Sequence, residues 1–259
     1  MGETALITGA SKGIGRALAV CCAASGQDVV LVARSGDALR DLALELAQQY
    51  GVAAHVLVQD LCERDAVSSL VSILLERDIA VDILINNAGF GDNGAFAARP
   101  RARQLGQIDL NIRALTELSH ALLPAMLQRG HGRILNIAST AAFQPGPHMA
   151  VYYATKAYVL SFSEALSEEL RGTGVTVTAH CPGATESAFS QESGNDKSLL
   201  FQKGHVASAR DVAEHAHRAM MRGDAVAVHG ALNWVGSFAV RFSPRWMVRA
   251  LAARINLPA

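Results

Sequence analysis

The stretch Thr4-Ala5-Leu6-Ile7-Thr8-Gly9-Ala10-Ser11-Lys12-Gly13-Ile14-Gly15 decides the reading of this chain. A short run of β-favouring residues leads straight into a turn carrying three glycines, and a helical pattern follows over residues 14–25. Glycines placed this way permit a tight turn and let the backbone come close to a pyrophosphate. The free N–H groups and positive dipole end of the next helix then receive the charge. Gly9, Ser11, Lys12, Gly13, Ile14 and Gly15 are therefore candidate phosphate-binding residues. No Gly-Lys-Ser/Thr closes the loop, so it is not the phosphate loop of an NTPase.

Working outward, the strand–turn–helix alternation recurs along most of the chain. Strands are expected at 4–8, 28–33, 53–58, 82–86, 132–138, 175–180 and, more weakly, 225–228. Helices are expected at 14–25, 37–50, 64–77, 102–129, 150–171 and 209–222. The strands read as continuous apolar runs such as Val29-Val30-Leu31-Val32, which means burial on both faces and a parallel sheet covered by helices. Repeated β-α-β units make this an α/β fold, a Rossmann-like doubly wound parallel sheet of about seven strands. With no repeat, low-complexity tract or linker, residues 1–259 read as one domain.

Composition agrees. The 259 residues carry 23 Lys+Arg and 23 Asp+Glu, and half are apolar, enough for a sizeable core and too many for a disordered chain. Zero formal net charge argues against a nucleic-acid binder. Apolar runs fall short of the roughly 20 residues that span a bilayer. Cys21, Cys22, Cys62 and Cys181 show no metal-ligand spacing, so no metal is expected, and they read as free thiols in a reducing compartment. With no signal-like segment at the N-terminus, the expected location is the cytoplasm.

The end of the second strand selects between dinucleotides. An acid is usual there when the ligand is NAD, since it takes the ribose 2′-hydroxyl. Here Arg34-Ser35 follow Ala33 directly, and Lys12 adds a cation from the glycine turn. Two cations and no acid favour the 2′-phosphate of NADP(H).

Tyr152 and Lys156 stand four apart at the start of a helical stretch and so share one face. A free phenol, with a pKa of about 10, is a poor acid–base, and a neighbouring cation is expected to lower that value. The adjacent Tyr153 lies on a different face and is expected to pack or to wall the cofactor. Alone, a Tyr-x-x-x-Lys pair is ordinary surface support. Here it is joined by Ser139 at the end of the fifth strand, Asn87-Ala88-Gly89 after the fourth, Asn111 in the following helical segment, and Pro182-Gly183 with Thr185 and Ser187 after the sixth. These positions are expected on the ligand edge of the fold, at strand ends or at the start of the next helix.

With Thr8-Gly9-x-x-x-Gly13-x-Gly15, Asp60-Leu61 and these motifs in order, residues 1–230 resemble a single-domain short-chain dehydrogenase/reductase of the NADP(H)-preferring type. The resemblance implies an Asn111–Ser139–Tyr152–Lys156 tetrad: Tyr152 as acid–base, Ser139 positioning the carbonyl, Lys156 lowering the tyrosine pKa and holding the nicotinamide ribose, Asn111 holding a relay water. It also implies Asp60 and Leu61 near the adenine, Asn87, Ala88 and Gly89 along the cofactor, and Pro182, Gly183, Thr185 and Ser187 near the carboxamide. The implied activity is reversible reduction of a ketone or aldehyde by NADPH, in a homodimer or homotetramer. A catalytically silent NADP(H)-binding sensor on the same fold is the alternative.

Two segments stand outside the alternation. Residues 186–208 are polar with an apolar island at 199–201 and read as a substrate lid. The tail, 230–259, holds both tryptophans, Arg241, Arg245, Arg249 and Arg254, and no acid. It suits a subunit contact or pocket closure, or an interfacial helix at a membrane surface. Phe90, Phe96, Phe189, Leu199, Leu200, Phe201, Trp234 and Phe238 tint the expected substrate as apolar, and His148 borders it in a Pro/Gly turn.

Overall fold

In β1 (Thr4–Thr8), Ala5 and Ile7 face one hydrophobic core while Leu6 faces another. The computed structural model, which describes residues 2–186, 193–194 and 206–257, repeats this division along the sheet. In β2 (Asp28–Ala33), Val29 and Leu31 oppose Val30 and Val32; in β4 (Ile83–Asn86), Ile83 and Ile85 oppose Leu84. A strand has a side-chain period of two, so an unbroken apolar run must be buried on both sides.

The first core is closed by α1 (Gly13–Ala24), α2 (Gly36–Tyr50) and α7 (Ala209–Arg222), through Leu18, Leu42 and Ala216 among others. The second is closed by α3 (Ala66–Glu76) and α5 (Leu115–Arg129), through Leu70, Leu118 and Met126. With β3 (Ala54–Val58), β5 (Gly132–Ile137), β6 (Val175–Cys181) and β9 (Val226–Val228), the strands form one sheet in the order β3-β2-β1-β4-β5-β6-β9. Every pairing in it is parallel, with Leu6 opposite both Val30 and Leu84. The winding reverses between β1 and β4, and ligands of such sheets bind in the crevice outside the carboxyl ends of the strands at that point. A buried polar rail fixes the register on the β4–β5 side: Asn86 Nδ2 donates to Asn136 Oδ1 at 2.9 Å and to Ser119 Oγ at 3.2 Å, and Asn136 Nδ2 donates to Ser163 Oγ at 2.9 Å.

The expected strands match the observed ones to within a residue at each end. Two features differ. The single helix expected over 102–129 is α4 (Arg101–Ile108), a π-helical turn (Asp109–Ala114) and α5. Two short strands also pair, β7 (Thr185–Glu186) with β8 (Ala207–Ser208), and draw together the ends of the 186–208 segment. Ser187, Phe189 and residues 199–201 of that segment lie outside the described residues.

The helix that carries Tyr152 and Lys156 is α6 (Ala150–Glu169), and the tail folds as α8 (Ala231–Ala239), a 3₁₀ turn and α9 (Arg245–Asn256). Val248, Ala252 and Asn256 of α9 are buried, whereas Leu232, Trp234, Phe238, Phe242 and Trp246 are exposed. No described helix is long and apolar enough to cross a membrane.

Candidate active site

The glycine turn is built by its neighbours. Gly9 has φ +66°, and a Cβ there would stand 2.8 Å from Asn87 Nδ2. A Cβ on Gly15 would meet Gly9 O at 2.2 Å and Asn87 Nδ2 at 2.4 Å, so α1 starts in van der Waals contact with the turn only because residue 15 lacks a side chain. Asn87 Nδ2 donates to Thr8 O at 2.9 Å and Gly9 O at 3.3 Å. Thr8 Oγ1 in turn accepts from the N–H groups of Asn87 and Ala88, both at 3.0 Å. Thr8 and Asn87 thus fasten the ends of β1 and β4 together at the switch point.

A cavity of about 680 Å³ runs along this edge. Of the residues read from the sequence, Gly9, Ser11, Lys12, Gly13, Ile14, Arg34, Ser35, Asp60, Leu61, Asn87, Ala88, Gly89, Tyr152, Lys156, Pro182 and Thr185 line it. Gly15, Gly183, Asn111 and Ser139 are not among the lining residues. Gly15 is the close-packed start of α1, and the position a Gly183 Cβ would take is covered by Asn233. The lining also includes Cys62, Ala102, Arg103, Gly106 and Leu110, which sequence reasoning passed over. Nothing in residues 101–110 signals a ligand by itself; the packing of α4 beside Phe90 brings them there, with the Arg103 guanidinium 5.2 Å above the Phe90 ring.

At one end of the cavity Arg34 projects into solvent with its side chain 73% exposed, and its Nη1 stands 4.0 Å from Asp60 Oδ2. Asp60 Oδ1 accepts from Cys62 N at 3.0 Å, and Arg113 Nη2 donates to Cys62 O at 2.8 Å. The loop beside the two cations is therefore held to the π-helical turn. Bare glycines in close backbone contact and the N–H groups at the start of α1 form a cradle that fits the pyrophosphate of a dinucleotide, with Lys12 and Arg34 in the same lining.

At the other end stand Tyr152 and Lys156. Ser139 Oγ accepts from Ala141 N at 3.1 Å and donates to Pro182 O at 3.5 Å, beside the Tyr152 phenol. Lys156 Nζ donates to Ile137 O at 2.6 Å and lies 5.8 Å from the centre of the Tyr152 ring. The expected lowering of the phenol pKa is reversed here. Burial pushes the Tyr152 phenol up, the neighbouring Ser139 hydroxyl pulls it down only in part, and Tyr153 adds to the rise. Burial also draws the Lys156 ammonium down to about 8. Desolvation disfavours the charged form of each.

Asn111 sits in the π-helical turn rather than near a helix start, and such turns commonly re-aim a functional side chain. Its Oδ1 accepts from Phe90 N at 3.1 Å, and its Nδ2 donates to Phe90 O and to Thr155 Oγ1, each at 3.0 Å. Thr155 Oγ1 donates to Tyr152 O at 2.7 Å. Asn111 therefore ties the cavity wall at Phe90 to the helix that carries Tyr152, with one Oδ1 lone pair left for a water. Tyr153 is a packing residue and not a cofactor wall: it is buried, and its hydroxyl donates to Asn256 Oδ1 at 3.1 Å. His148 adopts φ +67°, and its carbonyl accepts from Gly94 N at 2.8 Å.

Comparison with known proteins gives the same picture. A family model described as short chain dehydrogenase matches residues 3–198. Sulfoacetaldehyde reductase 2 of Chromohalobacter salexigens is 38% identical over 224 residues, covering 83% of this chain and 86% of that protein. A short-chain dehydrogenase from Sphingobium yanoikuyae, solved in complex with NADPH, superposes with a TM-score of 0.82 at 36% identity over 93% of this chain and 94% of that one. The bulky-bulky ketone specific alcohol dehydrogenase from Comamonas testosteroni superposes with a TM-score of 0.78 at 33% identity, over 93% and 92%.

Proposed function

The chain belongs to the short chain dehydrogenase family, and on that premise we propose that it is an NADPH-dependent reductase of an apolar ketone or aldehyde, reversible as an alcohol dehydrogenase. The observation that carries this reading is the placement of Tyr152 and Lys156, one helical turn apart, in the wall of the cavity that the glycine turn opens into. NADP(H) supplies the hydride when bound. The glycine turn, Asn87 and Gly89 hold its length, and Lys12 and Arg34 answer its 2′-phosphate. Tyr152 donates its proton to the carbonyl oxygen as the alkoxide develops, and Ser139 steadies the same oxygen. Lys156 presents a cation that stabilises the phenolate left behind; Asn111 holds the wall and the start of a water path.

The apolar character of the substrate is supported by Phe90 and Leu110 in the cavity wall. It agrees with the bulky ketones of the Comamonas relative better than with the small anionic aldehyde named for the Chromohalobacter one. A panel of ketosteroid-like, 3-oxoacyl, aromatic and aliphatic ketones and small aldehydes, followed by oxidation of NADPH and of NADH, tests the reading. Turnover of an apolar ketone with NADPH preferred supports it. NADPH binding with no turnover of any carbonyl would favour the silent sensor.

We assign the tail to subunit contact in a homodimer or homotetramer. Trp234 stacks on Phe238 with ring centres 5.9 Å apart and Phe242 meets Phe238 at a tilt, 5.2 Å away, on its surface, and exposed apolar patches of this kind mark partners. Sedimentation with and without anionic liposomes checks it: an oligomer indifferent to liposomes supports the assignment, and a monomer that pellets with them contradicts it.

A further inference from the structure

Asn256 is a polar residue with no solvent exposure at the last turn of α9. A buried amide is costly unless its bonds are made. Its Oδ1 accepts from Tyr153 Oη at 3.1 Å, its Nδ2 donates to Pro147 O at 2.9 Å, and its backbone carbonyl accepts from Asn93 Nδ2 at 2.9 Å. The three partners come from three separate pieces of chain: the helix carrying Tyr152, the turn before it, and the loop after β4. Two further contacts lock these pieces together. Gly94 N donates to His148 O at 2.8 Å, and Gly146 lies so close to Tyr153 that a Cβ there would stand 2.2 Å from its ring. Tyr153 packs edge-on against Tyr152, ring centres 6.1 Å apart.

We infer that Asn256 is a positioning residue for the proposed reduction: it straps the 93–94 and 146–148 segments against Tyr153 and so holds the rim where the carbonyl compound meets Tyr152. Neither Asn256 nor its three partners line the 680 Å³ cavity, so the strap acts through Tyr153 and the two segments it holds and not by touching the dinucleotide. The inference rests on the reductase reading.

The test is Asn256→Ala in the full chain, with Tyr153→Phe as a milder second variant that removes one hydroxyl and keeps the ring under Gly146. Both should raise KM for the best ketone of the panel, by about tenfold in Asn256→Ala, the scale of one to two hydrogen bonds. The Kd for NADPH should stay within about twofold. Amide hydrogen exchange should speed up in peptides covering 90–99 and 144–149 and stay unchanged in the glycine turn. A purely structural role predicts a lower Tm with unchanged KM and unchanged local exchange, and that result overturns the proposal. If Asn256→Ala does not fold, Tyr153→Phe carries the same comparison. Faster local exchange in a chain whose wild type turns over no carbonyl would refute the reductase reading while leaving the strap intact.

Discussion

Replacing Arg34 with Ala isolates the contribution of a single cation to cofactor choice. Its guanidinium is 73% exposed, so its field acts through water rather than protein. At about 4 Å, one pair of unit charges in water is worth about 1 kcal/mol, and a phosphate near two negative charges doubles that to about 2 kcal/mol. At about 1.4 kcal/mol per tenfold, this is roughly a 30-fold preference. A second effect has the same sign. Asp60 Oδ2 lies 4.0 Å from Arg34 Nη1, so removing the cation leaves that carboxylate unscreened beside the phosphate. Arg34→Ala should therefore lower kcat/KM for NADPH by roughly 30-fold or somewhat more, and change that for NADH by less than about threefold. Adding Asp60→Asn should return part of the loss. Because the site is exposed, the wild-type preference should shrink as salt rises from low to near-molar concentration. Steady-state kinetics with both cofactors measures all of this. Equal losses for NADPH and NADH in Arg34→Ala, or a preference indifferent to salt, would refute the assignment of Arg34 to the 2′-phosphate.

Three further outcomes follow from the geometry. Gly15→Ala must push the start of α1 off the Gly9 carbonyl, 2.2 Å from the new methyl, and should weaken NADPH binding at least about tenfold with a cost of about 1–3 kcal/mol in stability; calorimetric binding within twofold of wild type would contradict it. His180 is fully buried, bonded to His215 at 3.0 Å, and burial with its neighbours His215 and His229 drives its pKa down to about 3. The unfolded chain then binds protons that the folded one refuses, so stability is complete above about pH 6.5 and falls below it by up to about 1.4 kcal/mol per pH unit for each such histidine. Tm should drop from pH 7 to pH 5, less so in His180→Asn, and a flat profile would contradict it. Asp92, whose side chain is fully buried, accepts from Arg99 Nε and Arg103 Nε at 2.8 Å and Gln104 Nε2 at 2.7 Å. Asp92→Asn should cost about 2 kcal/mol by denaturant titration, below the ~3–5 of a fully buried pair, because both arginines keep about a third of their exposure; a loss under 0.5 kcal/mol, the ordinary surface scale, would contradict it.

The sheet was legible because its strands are buried on both faces: Val29-Val30-Leu31-Val32 can satisfy two cores only as a central parallel strand. The turn at Gly9–Gly15 was legible because close backbone approach leaves no choice of residue. What escaped depends on contacts between distant segments. The π-helical turn has no local signature, since it exists to let Asn111 reach Phe90, 21 residues away in sequence. The cavity wall formed by Arg103 and Gly106 follows from how α4 packs. The raised Tyr152 pKa escaped because spacing on a helix shows that Lys156 shares its face, but not that both groups are dry. Asn256 is one of several asparagines in the sequence; only the fold sets it against Tyr153, 103 residues earlier.

The most direct measurement is the turnover of Tyr152→Phe beside its binding of NADPH. The wild type should oxidise NADPH in the presence of an apolar ketone. The variant loses the proton donor and keeps the ring, so kcat should fall by about 10²–10⁴ while the Kd for NADPH stays within about twofold. Turnover within tenfold of wild type in Tyr152→Phe, with NADPH still bound, would contradict the account at its centre.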